Sequence, residues 1–408
     1  MTDARSPILL HHPAAVPTPD GDPSPGVAWH YGDPLGEQRA AARGAIIVDR
    51  SDRAVIELAD GDRLTWLHSI VSQSVAGLGD RKSAESLSLD VNGRVEDHFT
   101  LTDVDLVTWL DTEHGRGTAL ADYLGRMVFR AAVAVTPRPD MHVLTLIGPA
   151  ARSGPLAEML EIHDHSRVYD AGDLPEMHHE DEPLGFWRIM PSIGEGRSLP
   201  VVDLVVPDTE VEMWWREITA AGATPGGVWA QEALRVAAVR PRLGLDTDER
   251  TIAHEADWIG DGGLTGTGSG PNLTGAGSGA SGPNLTGAVH LEKGCYRGQE
   301  TVARVHNLGR PPRRLVLLHL DGSADGRPAT GDPVTLAGRT VGRVGTVVDH
   351  CDLGPIALAL VKRNVPVDAE LSAGEGDGVA ARIDPDHYVD DDAVPAGRAA
   401  QSRLRGRG

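Results

Sequence analysis

The sequence predicts an α+β body followed by a small antiparallel β-barrel. Three observations predict it. From Ala28 to about Asp257, short strand-like runs alternate with stretches of helical apolar spacing. At Arg310-Pro311-Pro312 the texture changes to short strands separated by Gly and Asp, the pattern of a small closed or sandwiched sheet. At ~150 residues per domain, a chain of 408 residues holds roughly two to three domains.

The elements follow in order. Residues 1–27 carry six prolines (Pro7, Pro13, Pro17, Pro19, Pro23 and Pro25) and little apolar periodicity, the composition of a flexible arm. Residues 44–49 and 54–58 are strands. Residues 62–70 form a helix, with Asp62 at its start and Leu64, Leu67 and Ile70 along one side. Helices are also expected over 210–221, burying Val211, Trp214, Trp215 and Ile218, and over 231–240. Residues 260–288 hold Ser-Gly-Pro-Asn-Leu-Thr-Gly-Ala twice, at 269–276 and 281–288. Two Gly/Ser/Thr-rich copies do not build a solenoid, so this is a flexible insertion. It contains Gly277-Ser-Gly279-Ala-Ser-Gly282, a dinucleotide-type pattern that has no meaning without a strand before it and a helix after it. Strands over 314–320, 332–336, 340–348 and 356–361 make the barrel, which spans 311–395, and 396–408 is a basic, frayed tail. The body thus runs from 28 to 310.

Composition limits the function. Lys plus Arg is 38 against 59 Asp plus Glu, a net charge of −21, so DNA is not an expected partner. No apolar run approaches the ~20 residues that cross a bilayer, and no basic-then-apolar leader opens the chain, so neither a membrane nor secretion is expected and the address is the cytoplasm. Two cysteines, Cys295 and Cys351, cannot supply the four thiolates of a standard iron–sulfur site. His163-Asp-His165 and His178-His179-Glu180 contain ligand types without a convergent set, so no metal site is assigned. Cys351 beside His350 reads as a barrel-edge residue.

The densest chemistry is Lys293-Gly294-Cys295-Tyr296-Arg297-Gly298-Gln299-Glu300. Two cations flank a thiol and favour its thiolate, and Gly294 and Gly298 permit tight backbone geometry. Tyr296 offers a flat face, and Gln299 and Glu300 offer groups suited to a polar heterocycle. The bland alternative is a small buried cysteine in a turn.

This octapeptide resembles the signature Lys-Gly-Cys-(Phe/Tyr)-x-Gly-Gln-Glu of the YgfZ family of folate-binding proteins, which is homologous to the aminomethyltransferase of the glycine cleavage system. The stretch from Leu234-Arg235-Val236 to Gly244-Leu245-Asp246-Thr247-Asp248 is similar to the aminomethyltransferase helix and its following Gly-x-Asp-x-Asp. Residues 89–97 resemble its strand turn, and 342–348 with 354–360 its C-terminal barrel. Ala237 and Val239 stand where the aminomethyltransferases have Glu and Gly, and residues 193–199 replace their Gly-Tyr-Thr-Gly-Glu-Asp-Gly loop. These departures agree with the YgfZ branch.

The resemblance implies an aminomethyltransferase-like, multi-lobed body with tetrahydrofolate, or a one-carbon derivative of it, in a central cleft. It implies a role supporting iron–sulfur enzymes or their assembly factors. Asp97 matches the acid near the reactive folate nitrogens, where a carboxylate can hold or relay a proton. Cys295 and Asp97 are the candidate catalytic residues. Asp97, Arg188, Asp203, Arg235 and Tyr296 are the candidate folate contacts. For Arg188, beside Phe186-Trp187, and for Arg235, mid-helix, packing or an ion pair is an equal reading; Asp203, on an apolar strand, needs some partner. Two further readings stand beside the first: a folate-dependent one-carbon transferase, and a non-catalytic scaffold of the same fold.

Overall fold

The computed structural model describes residues 5–175, 185–259, 287–324, 326–376 and 378–387. The repeated insertion at 260–286, His178-His179-Glu180 and the tail from 396 lie outside the described residues. Two compact units form, one from residues 1–67, 76–84 and 99–238, the other from 68–75, 85–98 and 239–408. The chain passes between them several times, the last time after Ala238.

The first unit is built on a six-stranded sheet. Its order is Ala171–Asp173, Phe186–Ile193, Leu199–Pro207, Met141–Ile147, Ile46–Asp49 and Thr224–Gly226. All neighbours are antiparallel except the last pair, which is parallel. Leu144, Leu146, Val202 and Leu204 face one core with Trp214, Trp215 and Ile218 of the helix Val211–Ala220. Ile46, Val48 and Val201 face a second core with Val228 and Leu234 of the helix Val228–Ala237. Apolar residues on both faces are what a sheet covered on two sides requires. The 210–221 helix was legible from its spacing. The next helix starts three residues before its expected position, at Val228, after an N-cap Gly227 packed so close to the Trp29 carbonyl that a Cβ has no room there. A five-stranded sheet is ordered Lys82–Leu89, Val95–Val104, Val107–Thr112, Ala54–Ala59 and Ala134–Pro137. Residues 85–98 at the hairpin end of its first two strands are counted in the second unit.

The expected flexible arm is instead ordered from residue 5 onward. Pro7–His11 is a helix with proline at its first turn, where the missing N–H costs nothing. Ser6 caps it, accepting from Leu9 N at 3.3 Å and donating to the buried Asp49 carboxylate. Ile8 is buried in the main core, and Val16–Pro17 pairs with Ala28–His30. A proline-rich composition hid one anchored isoleucine and one capping serine.

The second unit carries a closed six-stranded antiparallel barrel in the order Arg313–Leu320, Gly354–Lys362, Arg339–His350, Pro333–Leu336, Leu371–Ala373 and Val379–Ile383. Val316, Leu318, Val344, Ala357, Ala359 and Val361 fill it. The last two strands escape the sequence pattern because they are only three and five residues long. Residues 239–259 join this unit through polar bonds to the barrel. Asp246, fully buried, accepts from Arg242 N at 2.8 Å and from Thr346 N at 2.7 Å. Arg343 Nη1 donates to the carbonyls of Leu245 and Thr247 at 3.0 and 2.9 Å. Arg313 pairs with Asp248 and Glu255. The Gly-x-Asp-x-Asp stretch is thus a clasp on the barrel, which is why the units divide before it.

Candidate functional site

In the second unit the octapeptide is held by its own charged and glycine residues. The hairpin turn at 90–93 is fixed by Asp90 Oδ1, which accepts from Asn92 N at 2.7 Å and Arg94 N at 2.8 Å. Gly298 sits against this turn. A Cβ there would lie 2.6 Å from the Asp90 carbonyl oxygen, and its φ of +81° is left-handed. That conformation starts the helix Gln299–Leu308. Gln299 Nε2 reaches back to the Lys293 carbonyl at 3.1 Å and closes the loop. Tyr296 is buried with Leu87, Leu89, Val95, Trp258 and Val302. Its ring also walls a cleft of about 300 Å³ with Leu291, Gln299 and His306.

The two cations do not serve the thiol as expected. Lys293 is buried, and its ammonium donates to the carbonyls of His68, Val71 and Gln73 and lies 4.9 Å from the Tyr296 ring centre. All three of its donors are spent on backbone. Burial pulls its pKa down to about 8. Arg297 pairs with Glu96 at 2.9 Å. Cys295 is exposed, and among the described residues no hydrogen bond or ion pair reaches its sulfur. Neither flanking cation is directed at the thiol: adjacent side chains point to different partners. The buried-cysteine alternative is also excluded. What the loop presents is an accessible thiol on a turn closed by the Gln299–Lys293 hydrogen bond.

Asp97 lies in the same unit, next to Glu96, on Val95–Val104. It is buried, and Ser88 Oγ donates to it at 2.8 Å across the hairpin. Beside it is a cluster that sequence reasoning missed. Glu85 accepts from Arg240 at 2.6 Å and meets His98 Nε2 at 3.0 Å, and the His98 ring stacks on Trp258 at 5.1 Å. Burial pushes the Glu85 carboxyl up, but Arg240 and His98 outweigh it and hold it far below the usual range. Pairing of neighbouring strands brings 85 and 98 together and the segment after residue 238 adds 240, so no local signal could have found them.

The remaining folate candidates belong to the first unit, and two of them bind each other. Arg188 stands opposite Asp203 in the sheet register, and Asp203 opposite Thr145. Arg188, 1% exposed, donates to Asp203 at 2.9 and 3.2 Å and pairs with Asp111 at 2.6 Å. Thr145 donates to Asp203 at 2.8 Å, and Arg53 pairs with Asp111 and Glu113. This five-member ion-pair cluster uses the carboxylate and guanidinium that the sequence reading offered to folate, so Asp203 and Arg188 are corrected to structural roles. Arg235 pairs with Glu232 at 2.8 Å one turn earlier in its helix. Gln231, also on that helix and buried, has an amide oxygen without a partner. His163 and His165 stack at 5.3 Å. At the turn after Arg339–His350, ligand atoms of His350, Cys351 and Asp352 gather within 4.8 Å, but His350 Nδ1 already accepts from the Asp352 and Leu353 amides.

Comparison with known proteins follows this division. Residues 313–388 match the family model for the CAF17 C-terminal beta-barrel domain. The chain is 26% identical over 244 residues to an aminomethyltransferase of Nitrosococcus oceani and 27% identical over 236 residues to one of Chromobacterium violaceum. Each match covers 56% of this chain and 60% of the relative. The chain thus spans well under two thirds of the length of the curated relatives it matches. The crystal structure of the glycine cleavage system aminomethyltransferase T from Bartonella henselae superposes with a TM-score of 0.70 at 18% identity, covering 91% of this chain and 92% of that one. The fold is that of an aminomethyltransferase, mixed α and β with a closed six-stranded antiparallel barrel. No helix among the described residues is long and apolar enough to cross a membrane.

Proposed function

We propose that this protein binds tetrahydrofolate or a one-carbon derivative and supports the assembly or repair of iron–sulfur clusters in other proteins. The observation that carries the folate reading is Asp97: a buried carboxylate anchored by Ser88, next to the residue that ties the octapeptide to the hairpin, in a chain with the aminomethyltransferase fold. A reduced pterin supplies a basic nitrogen near its one-carbon position, and a carboxylate beside it holds or relays the proton there. The residues fit such a ligand in part. Asp97 supplies a negative charge, whereas Arg188 and Asp203 are committed to each other.

Support for the iron–sulfur reading comes from the octapeptide. Its resemblance to the YgfZ signature is complete at every specified position, and its thiol faces outward while everything around it is braced. One-carbon transfer makes no use of such a thiol. The aminomethyltransferase names of the relatives keep a transferase activity as the second reading.

Calorimetry with tetrahydrofolate tests the first part. One site is expected, and Asp97→Asn should weaken it about 10- to 150-fold, the equivalent of about 1.5–3 kcal/mol for a charged hydrogen bond. A well-folded wild type that takes up no folate would refute the reading. In cells, Cys295→Ser should lower iron–sulfur enzyme activity without lowering folate affinity, and full activity would remove the thiol from the proposal. Folate-coupled turnover by the purified protein would favour the transferase.

A further inference from the structure

We infer that His254 and His306 hold a divalent transition-metal ion between their rings. His254 lies in the turn Ala253–Glu255 and His306 near the end of the helix Gln299–Leu308. Both ring nitrogens of His254 and Nδ1 of His306 are shielded from solvent and have no hydrogen-bond partner. Buried polar atoms are almost always satisfied, so the orphaned nitrogens call for a partner, and one ion can take one nitrogen from each ring. The nearest acid in sequence does not supply it: Glu255 is spent on Arg313 and on the Ile252 amide.

The spacing suits an ion. The ring centres are 6.3 Å apart. Two metal–nitrogen bonds of about 2.0–2.1 Å plus two ring radii give about 6.4 Å for imidazoles on opposite sides of one centre. Opposed imidazole ligands are usual in tetragonal and octahedral nickel- and copper-type sites, and imidazole is also a common zinc ligand. His306 also lines the 300 Å³ cleft beside Tyr296, which leaves room for water or a ligand to complete the coordination. Neither histidine is among the candidate folate contacts, and the test below uses no folate.

The test is equilibrium dialysis of the metal-stripped full chain against Ni²⁺ and Zn²⁺, with thermal melting alongside. One equivalent should bind and raise the melting temperature. His254→Leu and His306→Gln should each weaken binding at least tenfold, and His254→Leu should raise the melting temperature of the metal-free protein by removing orphaned nitrogens. Should His254→Leu fail to fold, His306→Gln, at a half-buried helix position, decides alone. No binding at millimolar metal overturns the site and leaves a bridging water as the occupant. Binding retained in His306→Gln overturns it, as does loss confined to Cys351→Ser, which would put the ion at the 350–352 turn.

Discussion

The ion-pair cluster around Arg188 and the loop around Lys293 look alike in sequence: a cation beside aromatic and apolar residues, with an acid or thiol in reach. In three dimensions they diverge. Arg188 faces Asp203 and Asp111 across strands whose register sets each charge against its opposite, so nothing is left for a ligand. Lys293 turns inward onto three carbonyls, Arg297 goes to Glu96, and Cys295 is left exposed. A closed polar network marks structure. An open group held by such a network marks a candidate site.

The largest expected effect breaks the closed network. Arg188→Met should cost about 3–5 kcal/mol in urea unfolding, because Asp203 and Asp111 would be left buried with too little positive charge. The pH dependence sharpens this. Burial raises the Asp111 carboxyl, but Arg188 and Arg53 hold it at about 2, below its unfolded value of about 3.9. Its stabilisation is complete above about pH 4 and is lost as the pH falls toward 2. In Arg188→Met that loss should begin at higher pH. Equal unfolding midpoints for wild type and variant at pH 7 would show that the cluster is not a structural clamp.

A smaller effect is expected at the loop. Lys293→Ala strands three carbonyls and should cost about 1.5–3 kcal/mol. Because burial lowers the lysine pKa from its usual 10.5 to about 8, the unfolded chain binds more protons between those values, and stability should rise with pH across that window in wild type and not in the variant. A flat profile in wild type would mean the ammonium keeps its ordinary affinity for protons.

The smallest effect concerns the open group itself. Cys295 is exposed, whereas Cys351 is half-buried and donates to the Asp352 carboxylate at 3.3 Å. A neighbouring carboxylate disfavours a thiolate, so Cys295 should alkylate faster at neutral pH. Cys295→Ser should leave the melting temperature within about 1 °C, as surface changes usually do. Faster reaction at Cys351, read by mass spectrometry, would reverse the assignment.

Whatever depends on local pattern could be read from the sequence. Helical spacing placed Trp214, Trp215 and Ile218 on a buried face, Gly- and Asp-bounded runs announced the barrel, and a contiguous octapeptide was recognisable from eight residues. It could not determine where side chains end. Lys293 and Cys295 are two residues apart, yet one is buried and the other exposed. Arg188 meets Asp111 and Asp203, and Arg240 meets Glu85 and His98 through Glu85, only because strands and the segment after residue 238 bring them together. Ser6 and Ile8 turn a proline-rich segment into part of the core by the same means. Partnership over tens of residues is decided by register and packing, since a charge or a donor binds what lies within about 3 Å of it and not what adjoins it in the chain.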